Sequence, residues 1–178
     1  YIVALTGQDE AGQTVKDKVE EAGFETGGLL VHPSWPTIVK TRYLAGHQQL
    51  LRTDEERPLS LHAEITEQIL STISRYLSDV QAVIVSDYGK GLLHADVIQA
   101  VIAQAHVHNV PVIVDPKGAD FTKYAGAFAI TPNKKELSEA TRGMAVDTDE
   151  AVMAAAQTVI ETCGIESIVA TRSADGLS

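Results

Sequence analysis

Five short apolar runs constrain this chain more than any other feature: Ile2–Leu5, Val83–Val85, Val110–Val114, Phe128–Ile130 and Ile168–Ala170. Each is apolar on successive residues, and Val and Ile dominate. That pattern belongs to strands buried on both faces of a parallel sheet, because a half-solvated strand alternates. Helical stripes fill the gaps. Leu61, Ile65, Ile69, Ile73 and Leu77 recur every fourth residue; Val97, Ile98, Val101, Ile102 and Ala105 form a second stripe; Val152, Ala155, Ala156, Val159, Ile160 and Cys163 form a third. One apolar face at helical period packs against a core. Strands alternating with helices require crossover connections, so the expected class is α/β, a mainly parallel sheet flanked by helices.

Residues 36–55, "PTIVKTRYLAGHQQLLRTDE", break this rhythm. "TIVKTRYL" alternates, "AGH" supplies a turn and "QQLLRTDE" returns. An antiparallel hairpin apart from the parallel core is expected, of the kind that covers a site as a lid.

Ligands of open parallel sheets bind beyond the carboxyl ends of the strands. The four later runs are followed by "SDYGKG", "DPKG", "TPNKKE" and "TRSADG". Each loop is polar, and together they bring Asp87, Lys90, Asp115, Lys117 and Glu136 to one expected edge. Asn133 and Glu136 have the spacing of a helix capping box. Lys134 and Lys135 fall in the first helical turn, where the positive end of the helix dipole disfavours cations; a docked anion would reverse that sign. Spacing alone leaves both readings of "NKKE" open, a plain cap or a cap that also meets a nucleotide phosphate.

Several function classes lose support. The formal net charge of −10 leaves no cation excess for nucleic acid as a bulk partner. No apolar run approaches the ~18 residues of a membrane span. Cys163, the single cysteine, excludes an intrachain disulfide and points to a reducing, cytoplasmic compartment. On its apolar stripe it is expected to be inert core. His106 and His108 do not share a helical face, which disfavours a metal site there. Neither G-x-G-x-x-G nor a Walker A sequence occurs. The apolar runs at both ends lead to the expectation that these 178 residues are the middle of a longer protein.

The stretches "LTGQDEAG", "PTIVKTRYLAGHQQLLRTDEE", "VIVSDYGKGLL", "VPVIVDPKGADFTKYAGAFAITPNKKE" and "IVATRSADGLS" resemble, in order, the ribokinase-like (PfkB) carbohydrate kinases. "HQQLLR", "SDYGKG" and "DPKG-DF--Y-GA" resemble the branch acting on a heptose 7-phosphate. The resemblance implies one incomplete ribokinase-like kinase domain over residues 1–178 and ATP-dependent phosphorylation of the anomeric hydroxyl, in lipopolysaccharide core synthesis. It implies ATP and Mg²⁺ as cofactors and a sugar phosphate as partner; unpaired strand edges add the expectation of a homodimer. Asn133 and Glu136 map onto the family's N-x-x-E element, which meets Mg²⁺ partly through water, with Lys134 and Lys135 beside them. Thr171, Ser173 and Gly176 fall on a loop that runs along the nucleotide. Joined to the charge argument, it makes Lys40, Arg42, Gln49, Arg52, Asp87, Lys90 and Lys117 the candidate sugar and phosphate contacts. The family's general-base Asp would lie beyond Ser178, so these residues by themselves are expected to show little or no turnover. The alternatives are another sugar or nucleoside kinase of the same fold, or a noncatalytic nucleotide-binding or dimerising module.

Overall fold

The structure, a computed structural model, describes residues 1–57 and 63–178. The chain divides into two compact units, Tyr1–Ile73 and Ser74–Ser178, with the division inside one helix.

In the first unit, β1 (Ala4–Gly7) pairs in parallel with β2 (Leu29–His32). Helix α1 (Glu10–Glu21) connects them. Asp9 caps α1 by accepting the Gly12 N–H at 2.8 Å. Its carboxylate also accepts the N–H and hydroxyl of Thr37, at 2.8 and 2.7 Å, while the Thr37 hydroxyl accepts the Gly7 N–H. The three bonds to Thr37 tie the strand–helix turn to the segment leading into the hairpin. Gly12 is required by close approach: a Cβ there would lie 2.3 Å from the Gly7 carbonyl oxygen.

The hairpin is β3 (Val39–Ala45) and β4 (Gln48–Glu55), antiparallel and joined through Gly46, whose φ is 60°. A register shift after Tyr43 marks a bulge. Among the described residues the two strands pair only with each other.

Helix α2 (Ala63–Tyr76) buries Ile69 and Thr72, and Leu77 follows, also buried. The expected stripe therefore forms; its first member, Leu61, lies outside the described residues.

The second unit is the parallel core. Strands β5 (Val83–Ser86), β6 (Val112–Asp115), β7 (Ala129–Ile130) and β8 (Ser167–Ile168) form one sheet in chain order, all parallel. Helix α3 (Ala95–Val107) connects β5 to β6; α4 (Lys134–Ala140) and α5 (Asp149–Cys163) connect β7 to β8. The α3 stripe is buried in full. On α5, Val152, Ala155 and Val159 are buried. Cys163 is not core: it sits half-buried in the last turn, its sulfur 3.6 Å from the Thr162 hydroxyl. Gly164 ends α5 in the left-handed region at φ 66°.

Strand burial is less symmetric than the apolar runs imply. Val112, Val114 and Ile130 are fully buried, but Ile84 on edge strand β5 is 75% exposed. Val85 is buried, so successive side chains of β5 alternate between a covered face and an exposed one. His106 has a structural partner: its Nε2 lies 2.8 Å from the Gly126 carbonyl oxygen.

Candidate functional site

In-register parallel pairing brings the strand ends together. Ser86 stands opposite Asp115, and the Asp87 N–H donates to the Asp115 carbonyl at 3.0 Å. The Thr131 N–H donates to the Val114 carbonyl at 2.9 Å, and Thr171 bridges Asn133, its N–H 2.8 Å from the Pro132 carbonyl. All four polar loops of the second unit thus meet at one sheet edge.

The centre of that edge is Asp87. Its side chain is 1% exposed and its oxygens accept from three donors: the Gly89 N–H at 2.7 Å, the Lys123 ammonium at 2.7 Å and the Tyr124 hydroxyl at 2.8 Å. Burial alone would raise this carboxyl's pKa; the bonds from Lys123, Gly89 and Tyr124 outweigh it and hold the pKa below the ordinary value. A buried carboxylate with three donors is a satisfied one. Tyr124, fully buried, also accepts the Lys117 N–H at 2.8 Å. One phenol therefore clamps the loop after β5 to the loop after β6. Burial, with Asp87 adding to it, pushes that phenol far above its usual range. The Lys123 ammonium lies 4.9 Å from the Tyr124 ring centroid and adds a cation–π contact.

Nothing in the periodicity singles out Lys123 or Tyr124. They lie on a single 3₁₀ turn, Thr122–Tyr124, between β6 and β7. The available signal was the "DF--Y" stretch after "DPKG", because a buried Tyr hydroxyl seeks a partner.

At the start of α4 the capping box is complete. Asn133 Oδ1 accepts the Glu136 N–H at 2.9 Å and Glu136 Oε2 accepts the Asn133 N–H at 3.1 Å. Glu136 Oε1 meets the Lys117 ammonium at 3.3 Å. Lys117, expected among the sugar contacts, is therefore placed on the carboxylate of the N-x-x-E element. Lys134 pairs with Asp175 at 2.7 Å and Lys135 with Glu139 at 3.7 Å. The dipole argument for a docked anion weakens accordingly: α4 has only seven residues, and protein carboxylates already offset both lysines. The Lys135 side chain is 83% exposed.

Asp115 carries a raised pKa, from burial first and then from Glu136, with Lys117 opposing. In the last loop Ser173 holds φ 54° and Gly176 φ 84°. Arg172 binds Asp149 on α5, which fixes the loop's root.

Of the remaining candidates, all but Lys90 belong to the first unit. Residues 40, 42 and 44 point to one face of β3, and register places Asp54, Arg52 and Gln49 opposite them. Lys40, Arg42, Gln49 and Arg52 therefore share one face of the hairpin. Lys40 pairs with Asp54 at 2.7 Å and Glu56 at 3.3 Å, and Arg52 with Asp54 at 2.9 Å. Arg42 stands opposite Arg52, an arrangement that like charges disfavour. Lys90 is half-buried in the loop after Asp87.

Among the described residues, no three His, Cys, Asp or Glu side chains are grouped to hold a metal ion directly. Glu136 Oε1 is the one oxygen of the capping pair that no backbone donor occupies. Such a donor set fits a cation that keeps most of its waters, as Mg²⁺ does, and not an all-protein cage.

A parallel sheet with charged loops along its carboxyl edge and a separate small hairpin is the architecture of ribokinase-like proteins, and solved structures agree. Arabidopsis thaliana ribokinase, complexed with ribose and ATP, superposes with a TM-score of 0.72 over 98% of this chain and 55% of that one, at 16% identity. Phosphofructokinase-2 from Escherichia coli, in complex with potassium, gives 0.72 over 97% and 55%, at 14% identity. Residues 1–178 match the pfkB family of carbohydrate kinases throughout, and the chain belongs to that family. Among curated relatives, the bifunctional protein HldE of Paramagnetospirillum magneticum is 46% identical over 99% of this chain, and that of Rhodospirillum rubrum 43% over 99%. The chain spans 36% and 37% of the length of those two relatives.

Proposed function

We propose that this chain is the central part of a kinase that transfers the γ-phosphoryl group of ATP to the anomeric hydroxyl of a heptose 7-phosphate, giving the 1,7-bisphosphate used in ADP-heptose and lipopolysaccharide core synthesis. The observation that carries this reading is the identity of 43–46% to HldE proteins over 99% of the chain.

Asn133 and Glu136 face the nucleotide phosphates and Mg²⁺, the carboxylate acting through water. Thr171, Ser173 and Gly176 line the nucleotide, and Lys134 reaches its phosphates when released from Asp175. The face bearing Lys40, Arg42, Gln49 and Arg52 receives the phosphorylated sugar, since guanidinium groups suit a dianion. Asp87, with Lys123 and Tyr124, positions the loop that carries Lys90. ATP with Mg²⁺, when bound, supplies the phosphoryl group and its charge neutralisation. No acid described above is assigned as general base; Asp87, the most buried, is already held by three donors.

The working unit we propose is a cytoplasmic homodimer. An isolated two-stranded hairpin is marginal in water, and Tyr43, Leu44, Leu50 and Leu51 are all at least half exposed on this one.

The test is a coupled assay of the natural full-length protein with heptose 7-phosphate, fructose 6-phosphate and ribose as acceptors. ATP-dependent formation of heptose 1,7-bisphosphate, with the other sugars at least a hundredfold slower in kcat/KM, is expected. Absence of the bisphosphate overturns the reading, and preference for another acceptor moves it to a different sugar kinase.

A further inference from the structure

Lys117 occupies an unusual position for a substrate-binding lysine. Its backbone is fixed, because the buried Tyr124 hydroxyl accepts its N–H at 2.8 Å. Its stem runs beside Gly89 in the loop after β5: a Cβ on Gly89 would lie 3.5 Å from Lys117 Cγ. Its ammonium reaches Glu136 Oε1 at 3.3 Å, and its side chain is 56% exposed against 12% for Glu136. The root is anchored and the tip is free to move in solvent. The acid it touches has no equivalent freedom, since Glu136 Oε2 is committed to the cap.

The neighbourhood needs a cation. Desolvation raises the Asp115 carboxyl first, the charge of Glu136 adds to it, and Lys117 opposes both. Lys123 does not serve Glu136, because it is spent on Asp87. Among the described residues, Lys117 is the one cation paired with Glu136.

We propose that Lys117 is the resident counter-ion of the Glu136 carboxylate, occupying Oε1 in the unliganded protein and yielding it when a divalent cation approaches. The proposal rests on the assignment of the α4 start to the metal and nucleotide end of the site. It makes Lys117 a positioning residue that competes with the cation. A lysine that only contacted substrate would leave metal affinity unaltered. A lysine that only braced the fold would, when removed, leave it unchanged or lower.

The experiment is a calorimetric titration of the natural full-length protein with MnCl₂, without nucleotide, at low ionic strength. Lys117→Met is expected to bind Mn²⁺ about fivefold more tightly than the unaltered protein, the upper end of an exposed ion pair read at tenfold per 1.4 kcal/mol. Lys117→Arg, which keeps the charge, should stay near the unaltered affinity. Adding Glu136→Gln to Lys117→Met should abolish the gain. Lys117→Gln replaces the Met variant if that variant precipitates. Equal or weaker Mn²⁺ binding by the charge-removed variant overturns the proposal, as does absence of measurable binding by any variant. Nucleotide binding is measured in parallel: its absence in the unaltered protein refutes the kinase reading, while the Mn²⁺ comparison still decides the role of Lys117.

Discussion

Replacing Tyr124 by Phe removes one oxygen atom from the best-shielded point of the candidate site. The ring stays, so the apolar burial of this fully buried residue is preserved. Two bonds are lost, to Asp87 at 2.8 Å and from the Lys117 N–H at 2.8 Å. A hydrogen bond to a charged group contributes about 1.5–3 kcal/mol, and a shielded N–H left without a partner costs about 1–3 kcal/mol. Asp87 keeps Lys123 and the Gly89 N–H, so the carboxylate is not orphaned and the two losses do not add in full. The expected destabilisation is about 2–4 kcal/mol, a large part of the ~5–15 kcal/mol available to a typical domain. Urea unfolding followed by circular dichroism at pH 7 measures it, with an unchanged m-value showing that the denatured state is not the cause. For a chain of this size the melting temperature should fall by roughly 10 °C. Pairing the change with Asp87→Asn in a double-mutant cycle should give a coupling of about 1–2 kcal/mol. A loss below about 0.5 kcal/mol would show that the phenol does not brace the two loops.

Three further outcomes are expected. Asn133→Ala should cost about 1 kcal/mol of stability as a lost cap and also weaken ATP binding severalfold in calorimetry; a stability loss without any change in ATP affinity would leave the segment as a cap alone. Ser173→Gly should raise stability by about 0.5–1 kcal/mol, because the left-handed strain at φ 54° exceeds the entropic cost of glycine; thermal melts that show a decrease would refute this. Asp115 has a folded pKa raised by burial and by Glu136, so its ionised form costs stability above that pKa, and the cost fades as pH falls to the unfolded value near ~3.9. Asp115→Asn should therefore melt higher than the unaltered protein at pH 7, with an advantage that disappears below about pH 4; an advantage independent of pH would point to another cause.

The legible part of the fold was the part with long-range periodicity. Continuous Val and Ile runs located β5, β6, β7 and β8 to within about two residues, the usual uncertainty at element ends, and the stripes located α2, α3 and α5. Strand β2, "LLVH", has four residues, ends in His and leads to a Pro; a run that short carries no distinguishing period. Helix α1 escaped for the opposite reason: its one buried residue is Gly12, so it has no apolar stripe, and only the Asp9 cap and close approach to β1 define it. The hairpin was legible from its alternation, and its pleat then dictated that Lys40, Arg42 and Arg52 share a face.

For the site, the sequence by itself determined which residue types gather at the carboxyl edge, because parallel strands of matched register leave no other place for the loops that follow them. It also determined the capping box, a matter of spacing over three residues. Which acid Lys117, Lys123 and Lys134 serve was decided by tertiary structure alone. Asp87 and Tyr124 are separated by 37 positions, and Lys117 and Glu136 by 19. Those pairings depend on where one 3₁₀ turn buries a phenol beneath two loops. A hydrogen bond requires placement within a few tenths of an ångström, and linear spacing over such separations does not encode it. The same packing gives Asp87 three protein donors and places Lys117 on the carboxylate expected to meet the metal.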